Sequence, residues 1–487
     1  LERRKRSSRR WAQEVGASHS TEEAGELAPR GPCGGKGLRH VMNLLGGKMS
    51  GVSNPGSVST KLQKIADLAK GAPDMVITSL SHHIDVSMLY EAHKKTRRDS
   101  AVGLDKQTKY EYETNLEANL ESLLNRFKSG TYKAPPVKRA YIPKSDGNER
   151  RPIGIPTYED KVLQRAITMV LEAVYEQDFL PSSYGFRPDR SAHDALSDIW
   201  KGTMDMGGSY VVEVDIRKFF DTLRHADLRA ILDQRVRDGV VRRAIDKWLK
   251  AGVLEKGVFY RPEDGTPQGG VISPLLANIY LHEVLDKWFE YEVKPQLRGR
   301  GFLVRYADDF VLSFSVEEDA REVYSDLHER FAQFGLKLHP EKTRVLDFKR
   351  PGKGDPEVFD FLAFRHYWAR SRKGNWVVKR KTAKSRLARA LVRMNVWCRS
   401  NRHESIGYQH LRLCQKLTGY FAYFGITGNS KSIGKYYYQV KVLWRKWLNR
   451  RSQRSRMDWG KFNNLLSHYP LPRPIAKKSI LRRAAKA

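Results

Sequence analysis

Cysteine is nearly absent from this sequence: Cys33, Cys398 and Cys414 are the three it has in 487 residues. None is spaced as CxxC. That argues against a disulfide framework and a Cys-rich zinc module, and makes a reducing cytoplasmic setting the default expectation. Long apolar runs are missing too. No stretch of about 18 apolar residues occurs, so no membrane-spanning helix is expected. Acids are scarce beside bases, 55 against 88, for a formal charge of +33. Such a balance points to a polyanionic partner, either nucleic acid or an acidic membrane face. At 40% hydrophobic and 10% aromatic residues, the chain is too rich in core formers to be a disordered basic protein. It should fold, with room for two or three domains.

The shortage of acids is local. From Arg365 onward there are 31 Lys and Arg against Glu404 and Asp458, so +29 of the +33 lies in the last quarter. A nearly neutral body joined to a polycationic arm suits an enzyme that grips phosphates in one region and binds cations in another. A surface shaped only for solubility mixes both signs. The opening LERRKRSSRRW is charged like the start of a signal peptide, but no apolar stretch follows it. The start stays open between Leu1, Met42 and Met49.

Residues 1–58, rich in Gly, Ser and Arg, read as a disordered basic segment. Helical spacing begins at Leu62, continues in VSMLYEAHKKT, and predicts a helix from Tyr112 to Lys128 that stops at Ser129-Gly130. KRAYIPK and RRPIGIP, separated by Ser-Asp-Gly-Asn, predict a hairpin. Helices follow over about Tyr158–Gln177 and from Ser191, around the loop PSSYGFRPDR. The strand YVVEVDI comes next, then a long helical stretch, then the strands FLVRY and FVLSF. A helix over 317–334 and the segment LKLHPEKTRVLDF follow, and from Lys379 the pattern is helical, basic and aromatic. At that spacing most aromatics, including Trp397, Tyr420, Tyr423, Tyr436, Trp444 and Trp447, read as core. His82-His83 with Asp85 lacks the further ligands that a metal cluster needs.

RYADDFVLSF sets two adjacent carboxylates, Asp308 and Asp309, at the tip of a hairpin with apolar flanks. A lone Asp-Asp pair is more often a plain exposed turn; the apolar strands on both sides weaken that explanation. Asp215 ends a second strand, VVEVD, too apolar for the surface. Strand-end acids from neighbouring strands can converge on Mg²⁺, which takes oxygen ligands and keeps positions for water and phosphate. Two such ions would activate a 3′-hydroxyl and stabilise a departing pyrophosphate.

These blocks resemble reverse transcriptases, specifically the group II intron-encoded reverse transcriptase–maturases. The similar stretches run in order over roughly residues 75–364: VGLDKQT, YIPKSDGNERRPIGIP, SSYGFRPDRSAHDAL, VVEVDIRKFFD, GTPQGGVISPLLANIYLHEVLD, RYADDF, LKLHPEKT and FLAF. The resemblance implies an α+β right-hand polymerase with an antiparallel palm sheet. Fingers would cover 59–205, the palm 206–364, a helical thumb and maturase domain 365–456, and a basic tail 457–487. It implies catalysis by Asp215, Asp308 and Asp309, which hold two Mg²⁺ with the carbonyl of Ile216. Lys144, Arg150, Phe219, Gln268 and Gly269 would meet the nucleotide, with Phe219 as the gate against a ribose 2′-hydroxyl and Phe220 beside it as core. Arg187, Pro188, Tyr306 and Ala307 would contact template and primer.

The implied partners are group II intron RNA, an RNA template with a DNA primer, dNTPs and target DNA, and no membrane. The implied location is cytoplasmic, near the nucleoid. Two departures stand out. The family's FLGF is Phe361-Leu362-Ala363-Phe364 here, and Ala is costly if that turn needs a positive φ. No CxxC follows Cys414, so the HNH endonuclease that many relatives carry is not expected. Two other readings stay open: a splicing-only maturase, and a reverse transcriptase turned to defence or repair.

Overall fold

The computed structural model describes residues 55–143, 150–255, 258–260, 265, 269–352, 357–452 and 456–477. Up to residue 54, the segment expected to be disordered lies outside these residues. A helix, Pro55–Gly71, begins before that segment's expected end, and its Ile65 and Ala69 are buried. Among the described residues, no helix is long and apolar enough to cross a membrane.

Helix Tyr158–Asp178 lies at the centre of the N-terminal half. Thr157 caps it by accepting the Asp160 N–H. Val162, Leu163, Ala166, Ile167, Val170, Leu171 and Val174 are fully or nearly fully buried, as a helix that is apolar on most faces requires. The helix expected over Tyr112–Lys128 is two, Lys109–Glu113 and Leu116–Ser129. A Thr108–Glu111 capping box starts the first, and Asn115, at φ −135°, breaks the run. Apolar spacing survives the break, so periodicity alone reads it as continuous. Gly130 then ends the second helix at φ 79°.

Eleven strands are described, in three sheets. β1 (Val137–Pro143) and β2 (Arg150–Ile155) form the expected antiparallel hairpin, with Ile142 opposite Arg151. β3 is Gly208–Val214, β4 Val253–Glu255, β5 Val258–Tyr260, β6 Gly301–Tyr306, β7 Asp309–Phe314 and β8 Arg344–Lys349. β9 (Phe359–Phe361), β10 (Phe364–Arg370) and β11 (Trp376–Thr382) complete the set. The first sheet runs β2-β1-β4-β5, with β1 and β4 parallel. The second, β6-β7-β3-β8, is antiparallel throughout, and so is the third, β11-β10-β9. The described chain is therefore a mixed α/β protein with antiparallel sheets.

Two expectations for the C-terminal quarter need correcting. The helical pattern read from Lys379 starts only at Lys384, because β11 continues to Thr382 with Val378, Arg380 and Thr382 buried on one face. Its period of two is hidden by the run of Lys and Arg. The stretch read as a tail from residue 457 begins as packed structure. Helix Trp459–His468 is capped by Asp458 and sends Phe462, fully buried, against Trp444 at 5.6 Å. Residues 478–487 lie outside the described residues.

Candidate active site

β6 and β7 are joined by a two-residue turn, Ala307-Asp308, with Tyr306 paired to Asp309. Ala307 has φ 59°, a conformation that normally favours Gly at this position of a tight turn. Two contacts hold it there. The Arg305 guanidinium donates to the Ala307 carbonyl at 3.1 Å. Gly185 of the SSYGF loop lies so close that a Cβ would stand 2.3 Å from the Ala307 nitrogen.

Arg305 is itself fully buried. It donates to both oxygens of Asp286, which is equally buried (2.7 Å for the Nε bond), to Asn278 at 2.9 Å and to Ser183 at 2.8 Å. Asn278 in turn donates to the Gly185 carbonyl at 2.7 Å. Burial opposes ionisation of Asp286, but Arg305 overcomes it and holds the carboxyl below its usual range. Asp286 lies in a π-helical segment, His282–Asp286, that follows helix Ser273–Leu281. One side chain thus ties the turn to three other segments.

Asp215 follows β3, whose Val214 pairs with Phe310. Asp215 lies one residue beyond that last paired rung, near enough for its charge to act on Asp308 and Asp309. Beyond it, Ile216 bridges to Leu338. The Asp215 carbonyl accepts from His339 N–H at 2.8 Å, and Arg217 N–H donates to Lys337 at 2.7 Å. The Asp215 carboxylate meets the Lys342 ammonium at 2.7 Å. Asp308 is partly buried; Asp309 is solvent-exposed yet has protein around it on most sides. Loss of hydration raises the Asp308 carboxyl, and Asp215 adds to this. Asp309 is pushed up to about 6 by the same loss of water, then by Asp308 and Asp215. Mutual repulsion among three carboxylates is what a divalent cation relieves. Among the described residues, no three His, Cys, Asp or Glu side chains are already gathered around a common point, since Asp215 is turned to Lys342. The donor set fits Mg²⁺; its assembly requires Asp215 to exchange partners.

The other expected site residues divide. Lys144 and Gln268 lie outside the described residues. Arg150 and Arg151 are both exposed at the start of β2; the charge of Arg151, with Arg305 at Asp308 and Arg386 at Asp309, favours the ionised carboxylates. Neighbouring strand residues face opposite ways, so the two arginines lie on different faces of β2. Phe219 is 2% exposed, packed on Phe220 and Tyr280, while Phe220 is the more open of the pair. That leaves little Phe219 surface open. Gly269, at φ 113°, is required by Gly154, whose carbonyl would stand 2.5 Å from a Cβ. The close approach is therefore to β2.

Arg187 is corrected as well. Its guanidinium pairs with Glu176 at 3.0 Å, donates to the Leu180 and Ser183 carbonyls, and lies over the Phe179 ring. It supports the SSYGF loop from inside and has no free donor face for a template. Pro188 beside it is exposed, and Tyr306 is partly buried. Arg305, Asp286, Arg151 and Lys342 went unnoticed in the sequence. An arginine inside an apolar strand, as in FLVRYADD, is the signal that pointed to the first.

Residues 142–366 match the family described as Reverse transcriptase (RNA-dependent DNA polymerase). Protein YkfC of Escherichia coli (strain K12) is 34% identical over 359 residues, covering 65% of this chain and 90% of that protein. Group II intron-encoded protein LtrA of Lactococcus lactis subsp. cremoris is 44% identical over 173 residues, 35% of this chain and 28% of LtrA. Nuclear intron maturase 2, mitochondrial, of Arabidopsis thaliana is 28% identical over 233 residues, 40% of this chain and 31% of that protein. The chain spans most of the first relative's length and less than a third of the other two.

Replacing Arg305 by Met strands the Asp286 carboxylate in the core and should lower stability by about 3–5 kcal/mol in urea unfolding. A loss below about 1 kcal/mol contradicts the tie. For Asp309, the folded value of about 6 exceeds the ordinary 3.8, so the folded chain binds more protons than the unfolded chain between them. The stabilisation from its protonation is complete below the unfolded value and is lost as pH rises through about 6. Without divalent cations, the melting temperature of the wild type should fall across this window relative to Asp309→Asn. Parallel curves for the two proteins contradict the assignment.

Proposed function

This chain belongs to the reverse transcriptase (RNA-dependent DNA polymerase) family, and we propose that it copies RNA into DNA at the carboxylate cluster of Asp215, Asp308 and Asp309. The observation that carries the proposal is that Asp215, just past the last β3–β7 rung, lies near Asp308 and Asp309 beside a turn clamped by Arg305. In a right-hand arrangement, the sheet β6-β7-β3-β8 is the palm, the β1–β2 hairpin belongs to the fingers, and the helices from Lys384 onward form the thumb.

The three aspartates and the Ile216 carbonyl would hold two Mg²⁺. When bound, the ions supply charge for deprotonating the primer 3′-hydroxyl and for stabilising the pyrophosphate. The hydroxyl oxygen forms the new bond to the α-phosphorus as the bond to pyrophosphate breaks. Arg151 is placed to meet triphosphate charge, and its planar fork suits phosphate oxygens. Lys342 competes with cations for Asp215. Tyr306 and the Leu362–Ala363 turn between β9 and β10 would lie along the primer.

The helical domain exposes Arg393, Arg399, Arg412, Lys416, Lys431 and Lys435 while aromatics such as Tyr436, Trp444 and Phe462 fill its core. That surface would bind structured RNA through phosphates. The likeness to LtrA and to an intron maturase supports group II intron RNA as its partner, with help in splicing as the second activity.

Primer extension on an RNA template with a DNA primer, Mg²⁺ and dNTPs tests the reading. Wild type should extend, and Asp308→Ala should reduce the rate by at least about a thousandfold. A wild type as inactive as Asp308→Ala sinks it. In the same assay Arg151→Ala should raise KM for dNTP about tenfold, as loss of a charged hydrogen bond does. Arg150→Ala should raise it much less; equal effects contradict the strand-face assignment.

A further inference from the structure

The Leu362–Ala363 turn is strained, and nothing within it relieves the strain. Phe361 pairs with Phe364 across it, so the two intervening residues form a tight hairpin turn. Both have positive φ, 47° at Leu362 and 68° at Ala363. Such turns favour Asn-Gly or Gly-Gly, because a side chain in the left-handed region clashes with its own backbone. A conformation of this kind persists only where the surroundings impose it.

What imposes it comes from the helical domain. The Ala383 N–H, just before helix Lys384–Ser400, donates to the Ala363 carbonyl at 3.0 Å. Tyr423, near the end of helix Ile406–Phe424, donates its hydroxyl to the Leu362 carbonyl at 2.8 Å. Burial pushes the Tyr423 phenol up to about 12, which keeps it protonated and a donor at neutral pH. Its ring packs on Phe364 at 5.7 Å and on His193 at 5.5 Å. The Tyr423 carbonyl is held in turn. His193 Nε2 stands 2.8 Å from it, and a carbonyl only accepts, so that nitrogen carries the proton. His193 lies in the first turn of helix Ala192–Met206, directly after the SSYGF loop that clamps Ala307. Arg386 and Asp309 are close enough for their charges to act on the Tyr423 hydroxyl.

We propose that Tyr423 is a positioning residue, a latch by which the helical domain holds the Leu362–Ala363 turn in its strained form and keeps the primer end aligned with the catalytic carboxylates. It touches neither substrate nor cation. One end grips the turn and the other is fixed by His193, so the primer-side turn and the helical domain move as one body. The latch rests on the polymerase reading above, and it deepens that reading by naming what couples primer grip to the RNA-gripping domain.

The test is Tyr423→Phe in the full chain, which keeps the ring packing and removes only the hydroxyl. On an RNA template, KM for the DNA primer should rise about fivefold, and product length per binding event should fall by a similar factor, the size of one neutral hydrogen bond. kcat at saturating primer should change much less. His193→Ala, which frees the other end, should give the same split. Ala363→Gly should rescue part of the Tyr423→Phe defect, because Gly adopts the turn without help. Primer KM and product length equal to wild type in both latch variants overturn the latch, and so does a loss confined to melting temperature. A wild type that extends no primer overturns the polymerase reading and the latch with it.

Discussion

An arginine sealed from water is tolerable only when every donor is used, and Arg305 meets that condition by reaching four segments at once. Its charge is neutralised by Asp286, and its remaining bonds fall on Asn278, Ser183 and the Ala307 carbonyl. Desolvating such a pair costs several kcal/mol per ion, so its net gift to stability is small. What it provides is definition. The Ala307-Asp308 turn cannot relax from its positive φ without leaving a buried guanidinium donor unpaired. The carboxylates project from that turn, and their mutual repulsion is maintained because the backbone beneath them cannot yield.

The same device recurs at the turn between β9 and β10. Leu362 and Ala363 occupy left-handed conformations that their side chains disfavour, and the compensating bonds come from Tyr423 and Ala383 of the next domain. Gly185 of the SSYGF loop packs on the first turn, and His193, seven residues past that loop, holds the Tyr423 that bonds the second. Strain at a site that must hold reacting groups is a cost carried by the surroundings. Here those surroundings are a buried ion pair in one case and a neighbouring domain in the other.

Much of this was legible beforehand. Adjacent aspartates between apolar strands, and a third acid ending another apolar strand, are local patterns, and the fold brings them to the ends of neighbouring strands of one sheet. The hairpin around Ser-Asp-Gly-Asn and the end of the helix at Gly130 follow from turn chemistry at single residues. Other features depend on information that is not local. Arg150 and Arg151 differ only in which face of β2 they take, and that follows from pairing with β1. Phe219 is more buried than Phe220 because the short helix after Asp215 turns the first inward, onto Tyr280. Arg187 looks like a phosphate contact until Glu176, in the preceding helix, is seen to occupy it. Lys and Arg dominate the composition past Lys379, so the alternation of β11 and the core face of helix Trp459–His468 are hidden.

The central claim is that the clamped turn and Asp215 form one divalent-cation site. Mn²⁺ binding to the full chain, followed by electron paramagnetic resonance without nucleic acid at pH 8, tests it most directly. The account predicts saturable binding in the wild type that is lost in Asp309→Asn and tightened by Lys342→Ala, since the lysine no longer competes for Asp215. Binding of equal affinity in all three proteins would contradict it.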